Sequence, residues 1–264
     1  MSHFQNFNYR IDGDNQQNRL VFLHGLMGYG QNWRSIVREF EHKYQILSYD
    51  QRGHGKSFKP DSGYRPEDYA EDLHKILADL GWSKITLIGH SMGGRNAIEF
   101  ASLYPEKLKA LVVVDIGPDY NEDAITSIER IFAIAKEPFA TREAAKELFL
   151  KNFSLSLANY LYANLIRKGE EWTWRFSKRG VLESLYQGRE RNRWKEWQNI
   201  EIPSLVIRGE ESEDLLPAVY EQMLASNSHA QGCIIKNAGH WVHSEQREAF
   251  CRALSHFLKS LDMG

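Results

Sequence analysis

Cysteine is scarce in this sequence, since Cys233 and Cys251 are the only two among 264 residues. One pair cannot form a framework of several disulfides, and no Cys-x-x-Cys spacing provides zinc ligands or a redox dithiol. The sequence therefore argues against a small disulfide-stapled domain and against a zinc module. We expect both thiols to be reduced and partly buried in a cytoplasmic protein.

Long hydrophobic runs and a large excess of one charge are also missing. The longest apolar runs, residues 20–23 and 110–114, are far shorter than the ~20 residues that cross a bilayer. Residues 1–10 are polar and lack the apolar stretch of a secretory signal. The net charge is −2, and acidic and aromatic side chains interrupt the most basic stretch, residues 178–193. We therefore expect no membrane span and no binding of nucleic acid.

Short aliphatic runs alternate with longer amphipathic segments, which indicates an α/β fold with a mostly parallel central sheet flanked by helices. We predict strands at residues 19–23, 44–49, 84–88, 110–116, 204–207 and 233–235, and helices at 33–40, 66–80, 91–103 and 245–261. Residues 119–199 differ, because they combine helical spacing and many aromatic residues with no convincing buried strand. We predict that this segment, called the cap below, is a helical insertion into a core made of residues 1–118 and 200–264.

The strongest catalytic motif is Gly89-His90-Ser91-Met92-Gly93, which fits the pattern Gly-x-Ser-x-Gly. It stands between a predicted strand and a predicted helix, the context that a nucleophilic serine on a tight turn requires. Glycine at both ends of the motif removes side chains that would collide in such a turn. The turn also puts Ser91 at a helix N-terminus, where backbone N–H groups favour developing negative charge. We therefore predict that Ser91 is a nucleophile.

A serine hydroxyl needs a base to take its proton, and His240 is the best candidate among the ten histidines. It follows the last predicted strand, so the base comes after the nucleophile in the chain, as this type of site demands. His243, three residues further on, is a nearby histidine that could be mistaken for the base. His90 adjoins the serine, but we expect its side chain to project the other way.

Two backbone N–H groups are predicted to form an oxyanion hole for the charge that develops on the attacked carbonyl. Each fixed donor of this kind is worth roughly 3–4 kcal/mol. Met92 directly follows the nucleophile and supplies one group. Leu26 lies at the end of the first predicted strand, on the same edge of the sheet, and supplies the other.

Four motifs, taken together and in this order, resemble the landmarks of the α/β-hydrolase superfamily. They are His24-Gly25-Leu26-Met27-Gly28, the octapeptide Asp-Gln-Arg-Gly-His-Gly-Lys-Ser at residues 50–57, the serine motif at 89–94, and Gly239-His240. The chain is most similar in type to small bacterial serine esterases with a helical cap. The resemblance implies an α/β-hydrolase fold with the cap between the sixth and seventh strands. It also implies that residues 50–57 shape the floor of the site without a catalytic role.

The acid that orients the base has two candidate positions, and its loss can lower turnover by about 10⁴. Most of the superfamily carries it after the seventh strand, but Ser212 occupies that position here. Glu213 or Asp214 could serve there only after a shift of the loop. Asp115 follows the sixth strand, where a branch of small bacterial esterases with a mitochondrial relative has its acid. We favour Asp115 and leave Glu213 and Asp214 open.

These residues predict a carboxylesterase-like serine hydrolase that cleaves a small to medium, largely apolar ester through an acyl-enzyme. Aromatic residues of the cap that face the serine would line an apolar pocket. No cluster of Arg or Lys stands near the motifs to bind a phosphate or carboxylate. Arg95, on the predicted helix of the nucleophile, is the nearby cation that could contact a substrate.

Other functions remain compatible with the same residues. The triad also serves C–C bond hydrolases, lactonases, thioesterases and perhydrolases, because fold does not choose among them. A small-molecule receptor with residual hydrolysis is the alternative from another class. No metal and no organic cofactor is implied, because acyl transfer needs none. The oligomeric state stays open.

Overall fold

A seven-stranded sheet forms the centre of the computed structural model, which describes residues 3–14, 17–119 and 123–261. The strands of this sheet are β1 (Tyr9–Asp12), β2 (Arg19–Leu23), β3 (Gln45–Tyr49), β4 (Ile85–His90), β5 (Leu108–Val114), β8 (Ser204–Gly209) and β9 (Ala230–Ile235), with β6 and β7 lying in the cap. Their spatial order is β1-β3-β2-β4-β5-β8-β9. Strand β1 runs antiparallel to β3, and the remaining neighbours are parallel. The prediction of a mostly parallel α/β sheet is confirmed.

Helices cover both faces of the sheet. They are α1 (Arg34–Phe40), α2 (Pro66–Leu80), α3 (Met92–Leu103), α9 (Pro217–Ser226), α10 (Val242–Glu245) and α11 (Arg247–Ser260). One apolar layer joins the sheet to α2 and α3 through residues such as Ile76 and Ile98. A second layer joins the other face to α1 and α11 through Ile36 and Phe250. Because both faces are covered, the central strand β4 is buried along its whole length.

The helices of the described ranges do not combine the length and the apolar character that a membrane span needs. Where an element of the core was predicted, its bounds differ from the observed ones mainly at the ends, whereas β1 and α9 were not predicted. Strand β4 reaches His90, two residues beyond its prediction, because Gly89 and His90 still pair with Val113 and Val114 of β5. The predicted helix at 245–261 is divided into α10 and α11.

The order of the strands decides where a ligand can bind. Strand β2 leads through β3 to one edge of the sheet, whereas β4 leads through β5 to the other. In open parallel sheets, ligands bind in the crevice at the carboxyl ends of the strands where the strand order reverses. The loops after β2 and β4 border that crevice, and the predicted oxyanion and nucleophile residues lie in them.

The cap mixes helices with a short hairpin. It contains α4 (Asp123–Ile134), α5 (Arg142–Asn152), α6 (Leu155–Ala163), β6 (Leu165–Lys168), β7 (Glu171–Trp174), α7 (Lys178–Gly188) and α8 (Trp194–Gln198). Its apolar cluster includes stacked Phe149 and Trp174 rings, 5.6 Å apart, and reaches Met27 of the core.

One expectation about the cap needs refinement. A helical cap was expected, and the cap also contains an antiparallel pair formed by β6 and β7. The pair escapes sequence analysis because each strand has four residues with mostly exposed or half-buried side chains, so no clear alternation marks them. The cap lies between β5 and β8, as predicted. These are the fifth and sixth strands of the sheet along this chain and the sixth and seventh in the superfamily numbering used for the prediction.

A buried ion pair fastens the end of the cap to α3. Arg193 Nε donates to Glu99 Oε2 at 2.8 Å, and the two side chains are only 2% and 4% exposed. Arg193 also donates through Nη1 to Gly188 O at 3.0 Å and through its backbone N–H to Pro118 O at 2.6 Å. Pro118 is where the chain leaves the core, so one residue joins both crossings between core and cap.

Replacing Arg193 by Met should lower the free energy of unfolding by about 3–5 kcal/mol, because Glu99 would stay buried without its partner. Half-exposed Arg191, 3.6 Å from Glu99, compensates only in part. Chemical denaturation followed by circular dichroism measures the change. Lys195→Met removes an exposed cation two residues away and should shift stability by no more than about 0.5 kcal/mol. Equal losses in the two variants would contradict this account.

Candidate active site

Ser91 lies on a strained turn between β4 and α3. Its φ is 54° and its ψ is −121°, a conformation that side-chain-bearing residues rarely adopt. A Cβ on Gly89 would come within 2.2 Å of Gly93 O, and a Cβ on Gly93 within 2.6 Å of Leu23 O. Only glycine fits at either position, as the motif predicts. The Ser91 N–H donates to Val114 O at 3.0 Å, which fixes the turn to the neighbouring strand.

The two predicted oxyanion residues border the same cavity as Ser91. Met92 begins α3, and amide groups in the first turn of a helix have no acceptor within the helix. The loop that carries Leu26 touches the serine turn, since a Cβ on Gly25 would be 3.2 Å from Ser91 Cβ. From the cap, Tyr160 Oη donates to Leu26 O at 2.9 Å and so holds this loop. Sequence analysis did not find that role of Tyr160, because it depends on how the cap folds back.

His240 is held by a fully buried carboxylate. His240 Nδ1 donates to Asp115 Oδ2 at 2.8 Å, and Asp115 is 0% exposed. Gly209 N–H donates to Asp115 Oδ1 at 2.9 Å, and Ser212 Oγ donates to Asp115 Oδ2. Because the carboxylate can only accept, Nδ1 of His240 carries the proton and Nε2 is the nitrogen left to act as a base. His240 borders the cavity that Ser91 also lines.

A second carboxylate stands beside the same imidazole. Asp214 Oδ2 is 3.3 Å from His240 Nδ1, and the Asp214 side chain is 36% exposed. Sequence analysis expected Asp214 or Glu213 to reach His240 only after a loop shift, yet Asp214 is already close. Ser212, which takes the usual acid position, bonds to Asp115 and also accepts from the Asp214 N–H at 3.1 Å. Ser212 therefore links the two candidate acids, while Glu213 lines the cavity.

Charge around His240 favours its protonated form. Burial by itself would lower the pKa of His240, but the negative charges of Asp214, Asp115 and Glu245 outweigh burial and raise this pKa to about 9. Of the two nearest acids, Asp115 is the closer and the buried one, whereas solvent screens Asp214. An imidazolium at His240 is thus well stabilised here.

His90 and His243 are buried next to His240 and the loop that carries it. His90 Nε2 donates to the backbone carbonyl of His240 at 2.8 Å, and the His90 and His240 rings lie 4.6 Å apart. The expectation that His90 projects away from the site is therefore only partly right, since it holds the loop of the base. His243 packs on Trp33 at 4.3 Å. Burial, and then the charge on His240, lowers the pKa of both residues, to about 3 for His243. Both are neutral at pH 7.

The loop at residues 50–57 braces the floor of the site, as the resemblance implies. Gln51 N–H donates to His24 Nε2 at 2.9 Å, and Gln51 Nε2 donates to His24 O at 2.7 Å. Asn96 of α3 donates to Gln51 Oε1 at 2.9 Å. These bonds connect the loop after β2, the loop after β3 and the nucleophile's helix, so they hold in place the parts that surround Ser91.

The cavity over Ser91 encloses about 740 Å³ between core and cap. Apolar side chains form much of its wall, namely Leu26, Met27, Ile116, Ile128, Ile131, Leu157, Leu185 and Trp241. Two arginines also line it, Arg95 from α3 and Arg189 from the end of α7. This corrects the expectation that no group of cations stands near the motifs, because residues 94 positions apart meet only in the fold. Among the described residues, no three His, Cys, Asp or Glu side chains are arranged to hold a metal ion.

The comparisons with known proteins agree on one family. A family model described as alpha/beta hydrolase fold matches residues 18–246. The chain is 30% identical over 261 residues to an sn-1-specific diacylglycerol lipase of Mus musculus, covering 94% of this chain and 83% of the lipase. It is 29% identical over 251 residues to esterase YbfF of Escherichia coli, covering 92% and 95%. A solved marine microorganism esterase superposes with a TM-score of 0.84 at 27% identity, covering 95% and 98%. The chain therefore belongs to the α/β-hydrolase fold family and is an esterase-like hydrolase.

Proposed function

We propose that this hydrolase cleaves small to medium, largely apolar carboxylic esters through an acyl-enzyme on Ser91. His240 is the general base, Asp115 orients it, and the N–H groups of Leu26 and Met92 bind the oxyanion. The observation that carries the proposal is the His240 Nδ1 to Asp115 bond of 2.8 Å, beside the cavity into which the Ser91 turn projects. The names of the esterase and lipase relatives support ester cleavage.

The reaction runs in two halves. His240 Nε2 takes the proton of Ser91 Oγ as the oxygen attacks the ester carbonyl, and the resulting oxyanion is bound by the two N–H groups. The imidazolium then gives this proton to the leaving alkoxide, which departs as the alcohol and leaves an ester on Ser91. Water, deprotonated by His240, attacks that ester, and the imidazolium returns the proton to Ser91 Oγ as the acid is released. Asp115 remains ionised and stabilises the imidazolium in both halves.

The apolar wall of the cavity suits the hydrocarbon part of such a substrate. A cavity of about 740 Å³ is within the range that encloses small organic molecules. Leu26, Met27, Ile131 and Leu157 come from both core and cap, so a bound acyl chain would be enclosed between them. Water is thereby kept from most of the acyl group while the carbonyl stays at Ser91.

Ser91 should react rapidly with a fluorophosphonate probe, because an activated serine attacks phosphorus as it attacks a carbonyl. Mass spectrometry of the labelled peptide should locate the adduct on Ser91. Ser91→Ala should lose labelling and lower turnover by at least about 10⁴ without a change in melting temperature. Slow labelling of the native protein at stoichiometric probe would favour a receptor instead.

Nitrophenyl esters from acetate to octanoate should be hydrolysed, with a maximum of kcat/KM at a short or medium acyl chain. The expected gain per added CH₂ corresponds to about 0.8 kcal/mol until the cavity is full. Release of nitrophenolate measures the rate. Uniform inactivity across the series, in a protein that still labels at Ser91, would contradict the proposed substrate class.

Asp115→Asn should lower kcat by about 10⁴, since the amide can no longer hold His240 in the required tautomer and balance its charge. Asp214→Asn should have a much smaller effect at high pH, because Asp214 is exposed and is not the acid that fixes the ring. Comparison of kcat for the two variants on one nitrophenyl ester decides between the acids. An Asp115→Asn enzyme near wild type beside a dead Asp214→Asn enzyme would reverse the assignment.

The pH dependence of kcat/KM should rise to a plateau governed by His240, whose pKa is raised to about 9. The value of kcat/KM rises with pH because only the neutral imidazole of His240 accepts the serine proton, and the neutral form predominates above that pKa. Asp214→Asn removes one cause of the raised pKa, so the rising limb should move to lower pH. Glu221→Gln, an exposed carboxylate on α9, should leave the limb in place. An unmoved limb in Asp214→Asn would show that Asp214 does not act on the base.

A further inference from the structure

Arg95 is a buried cation on the wall of the substrate cavity. It lies four residues after Ser91 on α3, is 3% exposed and lines the cavity. Its Nη1 donates to two backbone carbonyls, Asp119 O at 3.1 Å and Gly188 O at 3.2 Å. Its Nη2 has no hydrogen-bond partner among the residues that the structure describes. Nη2 is itself buried. Buried charges are normally paired, so an unpartnered Nη2 on a residue that lines a cavity needs an explanation.

The neighbouring Arg193 shows what a purely structural arginine looks like in this fold. Both arginines donate to the same Gly188 carbonyl, at 3.2 Å from Arg95 and 3.0 Å from Arg193. Arg193 also has a buried carboxylate partner, Glu99, at 2.8 Å. Arg95 bonds to carbonyl groups in place of such a partner, and it lies against the cavity. Its positive charge is therefore much less compensated than that of Arg193.

The charges around Arg95 add to this imbalance. Burial lowers the pKa of Arg95 to about 9, and the positive charges of Arg189 and Arg193 act in the same direction. The carboxylate of Asp119 acts the other way but does not outweigh them. Arg95 remains a cation at pH 7 in a place where a further negative charge would be favourable. Arg189 lines the same cavity from the cap.

We propose that Arg95, with Arg189, forms a subsite for a carboxylate group carried by the ester substrate. The inference rests on the proposed function and refines it, since the substrate then has an apolar middle and one anionic end. A guanidinium offers parallel N–H groups that match the two oxygens of a carboxylate. Nη2 is the donor left without a partner, and because it is buried the guanidinium must turn toward the cavity to present it. A bound carboxylate would supply the counter-charge that Arg95 lacks.

The spacing on α3 sets the length of that substrate. Four residues of α-helix rise by about 6 Å, so Arg95 stands one turn from Ser91 on the same side of the helix. Side chains of a helix lean toward its N-terminus, which brings the guanidinium back toward the serine. Half-esters of short dicarboxylic acids, with two to four CH₂ groups between ester and carboxylate, match this separation.

The experiment compares each half-ester with a neutral substrate of the same shape. Monoethyl succinate, glutarate and adipate are paired with ethyl 4-oxopentanoate, 5-oxohexanoate and 6-oxoheptanoate, in which an acetyl group replaces the carboxylate. Product chromatography gives kcat/KM for each. The anionic member should be preferred by about 10- to 100-fold in at least one pair, as a charge-assisted hydrogen bond allows. A second pair, 4-carboxyphenyl and 4-acetylphenyl hexanoate, reports whether the subsite instead receives the alcohol part.

Variants connect the preference to the two arginines. In Arg95→Met the ratio of kcat/KM for the anionic over the neutral ester should fall by about 10- to 100-fold, and in Arg189→Met by a smaller factor. Arg252→Met, which removes an exposed arginine on α11, should leave the ratio unchanged. Inhibition of neutral-ester hydrolysis by free adipate, strong in the native enzyme and weaker in Arg189→Met, tests the subsite even if Arg95→Met does not fold.

The outcomes separate this inference from the proposed function. A protein that labels at Ser91 and hydrolyses the neutral esters, but shows no anionic preference in either kind of pair, overturns the carboxylate subsite alone. An Arg95→Met enzyme that loses both members of a pair equally gives Arg95 a structural role and also overturns it. A protein that neither labels nor hydrolyses any of these esters overturns the proposed function first.

Discussion

The buried carboxylate of Asp115 is the constraint on which the geometry of the site depends. An ionised group without exposure is tolerated only where donors surround it, and Asp115 accepts from Gly209, Ser212 and His240. Gly209 ends β8, Ser212 lies in the loop after it and His240 in the loop after β9, while Asp115 follows β5. One side chain therefore joins the ends of three adjacent strands. The strand order β5-β8-β9 makes this possible. It also explains why the cap can be inserted between β5 and β8 without separating the acid from the base.

The carboxylates around His240 have opposite effects on its basicity and on the fraction of it that is neutral. Two carboxylates near His240 make it a stronger base once it is neutral, but they also reduce the neutral fraction at pH 7. Buried, neutral His90 adds no positive charge next to His240. Under the proposed mechanism, Asp115 contributes orientation together with charge, whereas the more exposed Asp214 contributes charge alone. The same pair of acids can therefore differ greatly in catalytic weight.

Sequence analysis predicted the parts of the site that depend on consecutive residues. The turn around Ser91 needs glycine on both sides for steric reasons, so its motif is visible in five letters. The choice between Asp115 and Asp214 could not be made in the same way, because it depends on the path of a loop that contacts a residue nearly a hundred positions earlier. The hydroxyl of Ser212 turned out to hold both acids, a role that residue type alone does not reveal.

Contacts between residues far apart in the chain also determine features of the cavity and of the cap that composition does not predict. An apolar cavity lined by aromatic residues of the cap was predicted. The wall is largely apolar, but among the described aromatic residues of the cap Tyr160 alone lines it, and the other apolar cap residues there are aliphatic. Composition also conceals a single buried cation. Arg189 is distant from the motifs in the chain and reaches the cavity only because α7 ends there. The hairpin of the cap was hidden for a related reason, since its short strands pair with each other and show no buried alternation.

The atoms that fasten the cap are also the atoms that shape one end of the cavity. Arg95 donates to Asp119 O and Gly188 O, and Arg193 donates to Gly188 O and Pro118 O. Pro118 and Asp119 lie where the chain enters the cap, and Gly188 lies at the end of α7. A movement of the cap would therefore stretch the bonds of both arginines. Arg193 forms an ion pair with Glu99, whereas Arg95 forms none with a described carboxylate. We therefore expect the side chain of Arg95 to shift more easily than that of Arg193.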